Sequence, residues 1–175
     1  GDQNPPNLEN VTGNLIVKDD GTVISGQITL SFDKTIYALN GNPGSEITDI
    51  KDDRFFNAGS GGIDEEKSAV TSNNNASTVV LRLEQGVDFS SIYGTVGTNY
   101  LSNSDGVTAR AELVISTSIA TDREDANNTY TDYIITVTWT PASGTSLTPL
   151  TRTIMYSIAK PKPPTRSAPI ATAAY

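Results

Sequence analysis

The chain has 175 residues, enough for one domain with a sizeable core. It contains neither histidine nor cysteine, which excludes Ser-His-Asp and cysteine-nucleophile chemistry, tetrahedral zinc and iron–sulfur sites, and a disulfide framework. Twelve basic against twenty acidic residues give a net charge of −8, and such a body repels nucleic acid.

The charge is unevenly spread. Lys160, Lys162 and Arg166 fall in a carboxyl-terminal stretch without a single acid, leaving nine basic residues to face all twenty acids in residues 1–159. Charged residues are only 18% of the chain; Thr, Ser, Asn and Gly supply the polarity instead, which suits half-exposed strands and tight turns. No apolar run approaches the length of a membrane span.

Residues 1–9 read as an extended linker, because Pro5 and Pro6 hold the residues before them out of the helical region. Asn14 to Val17, the corner Lys18-Asp19-Asp20-Gly21 and Thr22 to Phe32 form a hairpin signal, with Ile28, Leu30 and Phe32 on one face. Thr35 to Leu39 is a short candidate strand. A long Gly/Asn/Asp-rich excursion follows from Asn40 to Asn75, with hints of order only at Ile47–Ile50 and Arg54–Phe56.

Thr78 to Glu84 alternates cleanly, pointing Val79, Leu81 and Leu83 inward. Val87 to Tyr93 suits a strand or a short helical turn, and Asn103-Ser104-Asp105-Gly106 marks a corner. Two long strands then set Ala109, Ala111, Leu113 and Ile115, and Tyr133, Ile135, Val137 and Trp139, toward a core, with a loop from Thr121 to Asp132 between them. After a turn around Ser143-Gly144, Thr151 to Ile158 returns with Ile154, Tyr156 and Ile158 on one face.

About eight strands without alternating helices predict an all-β fold, an immunoglobulin-like two-sheet β-sandwich over residues 10–159. Residues 160–175, with four prolines, form a Pro-rich tail.

Acidic groups are the reactive inventory that remains. Asp49, Asp52 and Asp53 cluster before two phenylalanines, Asp64-Glu65-Glu66 follow a glycine stretch, and Asp122, Glu124 and Asp125 crowd one loop. Calcium is the ion such oxygen-rich loops suit, yet none has the twelve-residue pattern of alternating acids with a central glycine, and solvated loops are the favoured reading. A glycosidase needs two facing carboxylates, one of them buried; these acids sit in polar loops. Phe55, Phe56, Tyr93 and Tyr100 lie in or beside loops, placed either to plug the ends of a sandwich or to stack on a ligand.

Three Asn-x-Ser/Thr triplets, at Asn10, Asn75 and Asn127, are no more than a chain rich in these residues supplies. A lysine–asparagine isopeptide cross-link is disfavoured because Thr151 to Ile158 has no asparagine. The weak alternation of Ile170, Thr172 and Ala174 favours a free tail over a strand lent to a neighbour.

The string Tyr133-Ile134-Ile135-Thr136-Val137-Thr138-Trp139-Thr140-Pro141, with the Ser-Gly turn and Thr151-Arg152-Thr153-Ile154, resembles the terminal hairpin of minor type IV pilins and pseudopilins. In that family the apolar amino-terminal helix builds the filament core; here Pro5-Pro6 stand where a helix is expected. The resemblance implies a pilus-associated or adhesive role and carries over no catalytic residue. The expectation is therefore a non-enzymatic subunit, extracellular or on the cell surface, without a required cofactor. Its frame would present residues 40–75 and 121–132 to a protein or glycan partner or to other filament subunits. A carbohydrate-binding module and a viral or phage coat or fibre domain are the rival expectations.

Overall fold

The structure, a computed structural model, describes residues 1–39 and 44–164. Its elements are almost all strands: β1 Leu8–Val17, β2 Val23–Phe32, β3 Tyr37–Ala38, β4 Ser45–Glu46, β5 Ser60–Gly61, β6 Ile63–Asn73, β7 Ala76–Leu83, β8 Tyr93–Val96, β9 Leu101–Ser102, β10 Ala111–Ala120, β11 Asn128–Pro141 and β12 Leu150–Pro161. The one helical element among the described residues is a 3-10 turn at Phe89–Ser91, the shorter of the two forms expected for residues 87–93.

Every pairing is antiparallel. A four-stranded sheet has the order β1-β2-β7-β6, a five-stranded sheet β12-β11-β10-β8-β5, and a small third sheet β4-β3-β9. The inner faces of the two larger sheets contribute to one hydrophobic core, an all-β arrangement consistent with a β-sandwich.

The period-two pattern decides which side chains enter that core, since alternate residues of a strand face opposite sides. Ile28, Leu30 and Phe32 of β2, Val79, Leu81 and Leu83 of β7, Leu113 and Ile115 of β10, and Tyr133, Ile135, Val137 and Trp139 of β11 are all buried. Their edge-to-face aromatic contacts run as a chain: Trp139 to Phe32 at 5.9 Å, Phe32 to Phe55 at 6.3 Å, and Phe55 to Phe56 at 4.7 Å between ring centroids. The first hairpin turns where expected, with Gly21 at a φ of +87° and the Gly21 amide donating to the Lys18 carbonyl. The corner at residues 103–106 also forms, the Gly106 amide donating to the Asn103 carbonyl.

Four boundaries differ from the sequence reading. β1 begins at Leu8, inside the segment expected to be linker, because Leu8 is buried and pairs with Phe32. The preceding residues are tied down as well: Asn7 Oδ1 accepts the Trp139 indole N–H at 2.9 Å, and the buried Asn103 side chain donates to the carbonyls of Asp2 and Asn4. The excursion from Asn40 to Asn75 contains an eleven-residue strand, β6, which an exposed, charged sequence concealed. Finally, β11 starts at Asn128, so the loop expected over residues 121–132 is shorter. At the other end β12 extends to Pro161, which an edge strand tolerates; residues 165–175 of the expected tail lie outside the described residues.

The two sides of the sandwich differ. On one, β12 packs along β1: a Cβ on Gly13 would lie 2.4 Å from Ile154 Cδ1 and 2.3 Å from the Gln27 carbonyl oxygen, so Ile154 fills the space that glycine leaves. On the other, the chain passes from β5 in one sheet to β6 in the next through Gly62, at a φ of +70°. There β6 is the last strand of its sheet, and no described strand lies on its outer flank.

Candidate functional site

The acidic loop at residues 121–127 is held shut by its own side chains. Asp125 Oδ1 accepts the amides of Asn127 and Asn128 at 2.9 and 2.7 Å, and its Oδ2 accepts the Tyr130 hydroxyl at 2.5 Å. The tyrosine hydroxyl holds the Asp125 carboxyl below its usual range, and the carboxylate in turn raises the phenol. Glu124 pairs with Lys162 at 3.4 Å, while Asp122 stays exposed.

Behind this loop Arg123 grips Asp132 through two parallel hydrogen bonds, Nε to Oδ2 at 2.9 Å and Nη2 to Oδ1 at 2.8 Å, and its guanidinium lies 3.9 Å over the Tyr130 ring. Ser157 of β12 donates to Asp132 Oδ1 at 2.6 Å. These donors, Arg123 foremost, bring the Asp132 carboxyl down to about 2. Every carboxylate oxygen of Asp125 and Asp132 thus has a protein partner, an arrangement that fastens β11 to β12.

Asp49, Asp52 and Asp53 lie on the path into Phe55. Asp49 accepts the Lys51 amide at 3.0 Å, and Asp52 and Asp53 both adopt left-handed backbone, with φ of 53° and 61°. Among the described residues no group of three or more acids is placed to hold a metal ion.

The four aromatic candidates separate cleanly. Phe55 is fully buried and Phe56 is 4% exposed, so neither can stack on a ligand; the hydrophobic effect draws both into the aromatic chain across the core. Tyr100 is half-buried and donates its hydroxyl to the Asp53 carbonyl; burial raises its phenol. Tyr93 alone is presented to solvent, 48% exposed.

Tyr93 is held by glycine. It pairs with Gly61 across β8 and β5, and a Cβ on Gly61 would come within 2.7 Å of its Cε1, one on Gly59 within 3.5 Å of its Cε2. A side chain at 61 would collide with the ring, whereas at 59 it would meet the ring at ordinary contact distance; Gly59 is required instead by its φ of +107°. Beside it opens a shallow groove lined by Ser60, Asp64, Glu65, Glu66 and Glu84. Asp64 Oδ1 accepts the amides of Glu66 and Lys67, and Lys51 reaches Glu66 at 2.9 Å. Such a surface offers one flat π face and several carboxylate acceptors, the complement of a ligand rich in hydroxyl or cationic donors.

Sequence reasoning singled out Tyr93 and the Asp64-Glu65-Glu66 run separately. It could not join them, because their proximity depends on the β5–β8 pairing. The glycines at 59, 61 and 62 were the available signal. No family model, no curated protein and no solved structure matches this chain.

Proposed function

We propose that the chain is a non-enzymatic structural or adhesive subunit of the cell surface, pilin-like in role, presenting the Tyr93 face to a protein or glycan partner. The observation that carries this reading is the exposed Tyr93 ring, fixed on a glycine strip beside carboxylates and mounted on a rigid sheet frame. Rigid mounting favours binding because little side-chain freedom is lost on contact.

The topology supports an immunoglobulin-like frame. In that arrangement strands A-B-E-D form one sheet and C-F-G the other. Here β1-β2-β7-β6 follows the first order and β5-β8-β10 the second, with β11 and β12 added beyond the G position. Frames of this kind serve many functions, so the role rests on the surface and not on the frame.

Immunogold labelling with an antibody against the chain tests the reading: label on surface filaments or the cell envelope is expected, and label confined to the cell interior overturns it. Tyr93 also favours the narrower reading of a carbohydrate-binding module. For that reading a glycan array should show binding by the wild type that Tyr93→Ala abolishes; the absence of any glycan bound by the wild type would refute it. Repeating the array with a chelator tests whether calcium takes part.

A further inference from the structure

We infer that a groove in the four-stranded sheet binds an acidic sugar, with the carboxylate held between Lys67 and Arg82 and the hydroxyls met by Asn14, Ser25 and Gln85. The inference does not depend on the partner proposed for Tyr93, and the groove shares no lining residue with the acidic one beside that ring.

The groove opens where two strands part. The β2–β7 ladder ends at the pair Gln27–Arg82. The chains rejoin where the Gly86 amide donates to the Val23 carbonyl at 2.8 Å and the Val23 amide to the Val87 carbonyl at 2.9 Å. Between these points Ser25 and Gly26 face Leu83 and Gln85 across a gap that no ladder pair bridges. Its volume of about 540 Å³ suits a small molecule. Leu83 Cδ1 lies 2.4 Å from where a Gly26 Cβ would stand, so the missing side chain lets Leu83 fill the bottom of the gap.

The bulge in β6 brings a second cation to this gap. From Asp64 to Ala69 the chain takes five steps, against two from Arg82 to Val80 on the partner strand. The extra residues are fixed in place. Ser68 donates to the Asp64 carbonyl at 2.7 Å and accepts the Arg82 amide at 2.9 Å, while Asp64 Oδ1 accepts the amides of Glu66 and Lys67 at 3.1 and 3.2 Å. Asp64 is thereby turned to its own bulge and forms no ion pair with Arg82, its ladder neighbour. The bulge also sorts its charges: Glu65 and Glu66 line the acidic groove with Glu84, and Lys67 joins Arg82 in the other.

Two cations in one groove repel each other, and nothing in the fold offsets them here. Among the described residues no carboxylate lines this groove, although the chain has twenty acids. Lys34, Lys51, Arg123 and Lys162 each pair with an acid, whereas Lys67 and Arg82 belong to no ion pair among the described residues. An anion from outside the chain supplies the missing partner.

Charge and donor type set its class. The planar guanidinium of Arg82 matches a carboxylate through two parallel hydrogen bonds, and Lys67 adds a point charge. Asn14, Ser25 and Gln85 carry neutral groups that both donate and accept, the complement of hydroxyls beside that carboxylate. A body of net charge −8 repels polyanions, which favours one negative charge on a ring otherwise rich in hydroxyls. A uronic acid is the simplest ligand of that description.

Titration of isotope-labelled protein with sodium glucuronate, followed by NMR, tests the inference. Glucuronate should shift the amides of Gly26, Lys67, Leu83 and Gln85 saturably, and glucose should leave them unmoved. Acetate and inorganic phosphate, which offer nothing to Asn14, Ser25 and Gln85 once the anion is seated, should act on the same amides about tenfold more weakly. Lys67 and Arg82 are exposed, so Lys67→Gln and Arg82→Gln should keep the spectrum of the folded protein. Each should weaken glucuronate about tenfold, the loss of one charge-assisted hydrogen bond, while Arg152→Gln on β12 should leave its affinity unchanged. The absence of any saturable shift at these amides overturns the inference, as does undiminished affinity in Lys67→Gln and Arg82→Gln. Phosphate that binds as tightly as glucuronate overturns the assignment to a sugar.

Discussion

The closed and open sides of the sandwich are built from the same kind of strand and differ in what meets the edge. At β1 and β12 a glycine in one sheet admits an isoleucine from the other, and the indole of Trp139 is tied to Asn7 just ahead of β1. At β5 and β6 the chain crosses between sheets through Gly62, leaving Tyr93, a row of carboxylates and an uncharged strand edge toward solvent. The β1–β12 flank is thus closed by apolar contact, whereas the β5–β6 flank presents Tyr93 and its neighbouring carboxylates to solvent.

The sharpest way to break this contrast is at Trp139. Trp139→Ala removes a side chain that is 1% exposed and opens a cavity beside Phe32, so a loss of about 3–5 kcal/mol is expected in urea unfolding. Gly13→Ala should follow, at about 1–3 kcal/mol, because the added methyl meets the Gln27 backbone and must displace Ile154. On the open side, Thr71→Lys places a charge on an exposed strand residue and should move stability by no more than about 0.5 kcal/mol. Equal losses at Gly13 and Thr71 would erase the distinction between the two flanks.

Acid provides a gentler probe. The Asp132 carboxyl is depressed to about 2 by Arg123 and Ser157, so its contribution to stability is complete above its ordinary value near 3.8 and is lost as the pH falls from there toward 2. Asp132→Asn should therefore lose less stability across that window than the wild type does in pH-dependent unfolding. An identical pH dependence would show that the Arg123–Asp132 pair does not fasten β11 to β12.

The closed side was legible in the sequence because burial on one face imposes period two. Tyr133 to Trp139 and Ile28 to Phe32 declare their inward faces without any knowledge of the partner strands. β6 was hidden for the opposite reason: as an edge strand with one buried residue, Ile63, it has almost no apolar period to display. Its turn was nevertheless written plainly. Asn74 and Asn75 both take left-handed backbone, with φ of 53° and 62°, as a two-residue hairpin demands. For Phe55 and Phe56 loop position left both packing and ligand stacking open; after the left-handed turn at Asp52 and Asp53 both rings are buried in the core. The Tyr93 surface depends on pairing between residues some thirty positions apart, which local pattern cannot supply.

Amide hydrogen exchange read by NMR tests the asymmetry most directly. The account predicts slow exchange where strands pair on both sides, over Gln27–Ser31 of β2, Thr78–Val80 of β7, Leu113–Ile115 of β10 and Asp132–Trp139 of β11, and fast exchange of alternate amides over Ala69–Asn73 in dilute protein, where one flank of β6 is open. Uniformly strong protection along β6 under those conditions, matching β11, would contradict it.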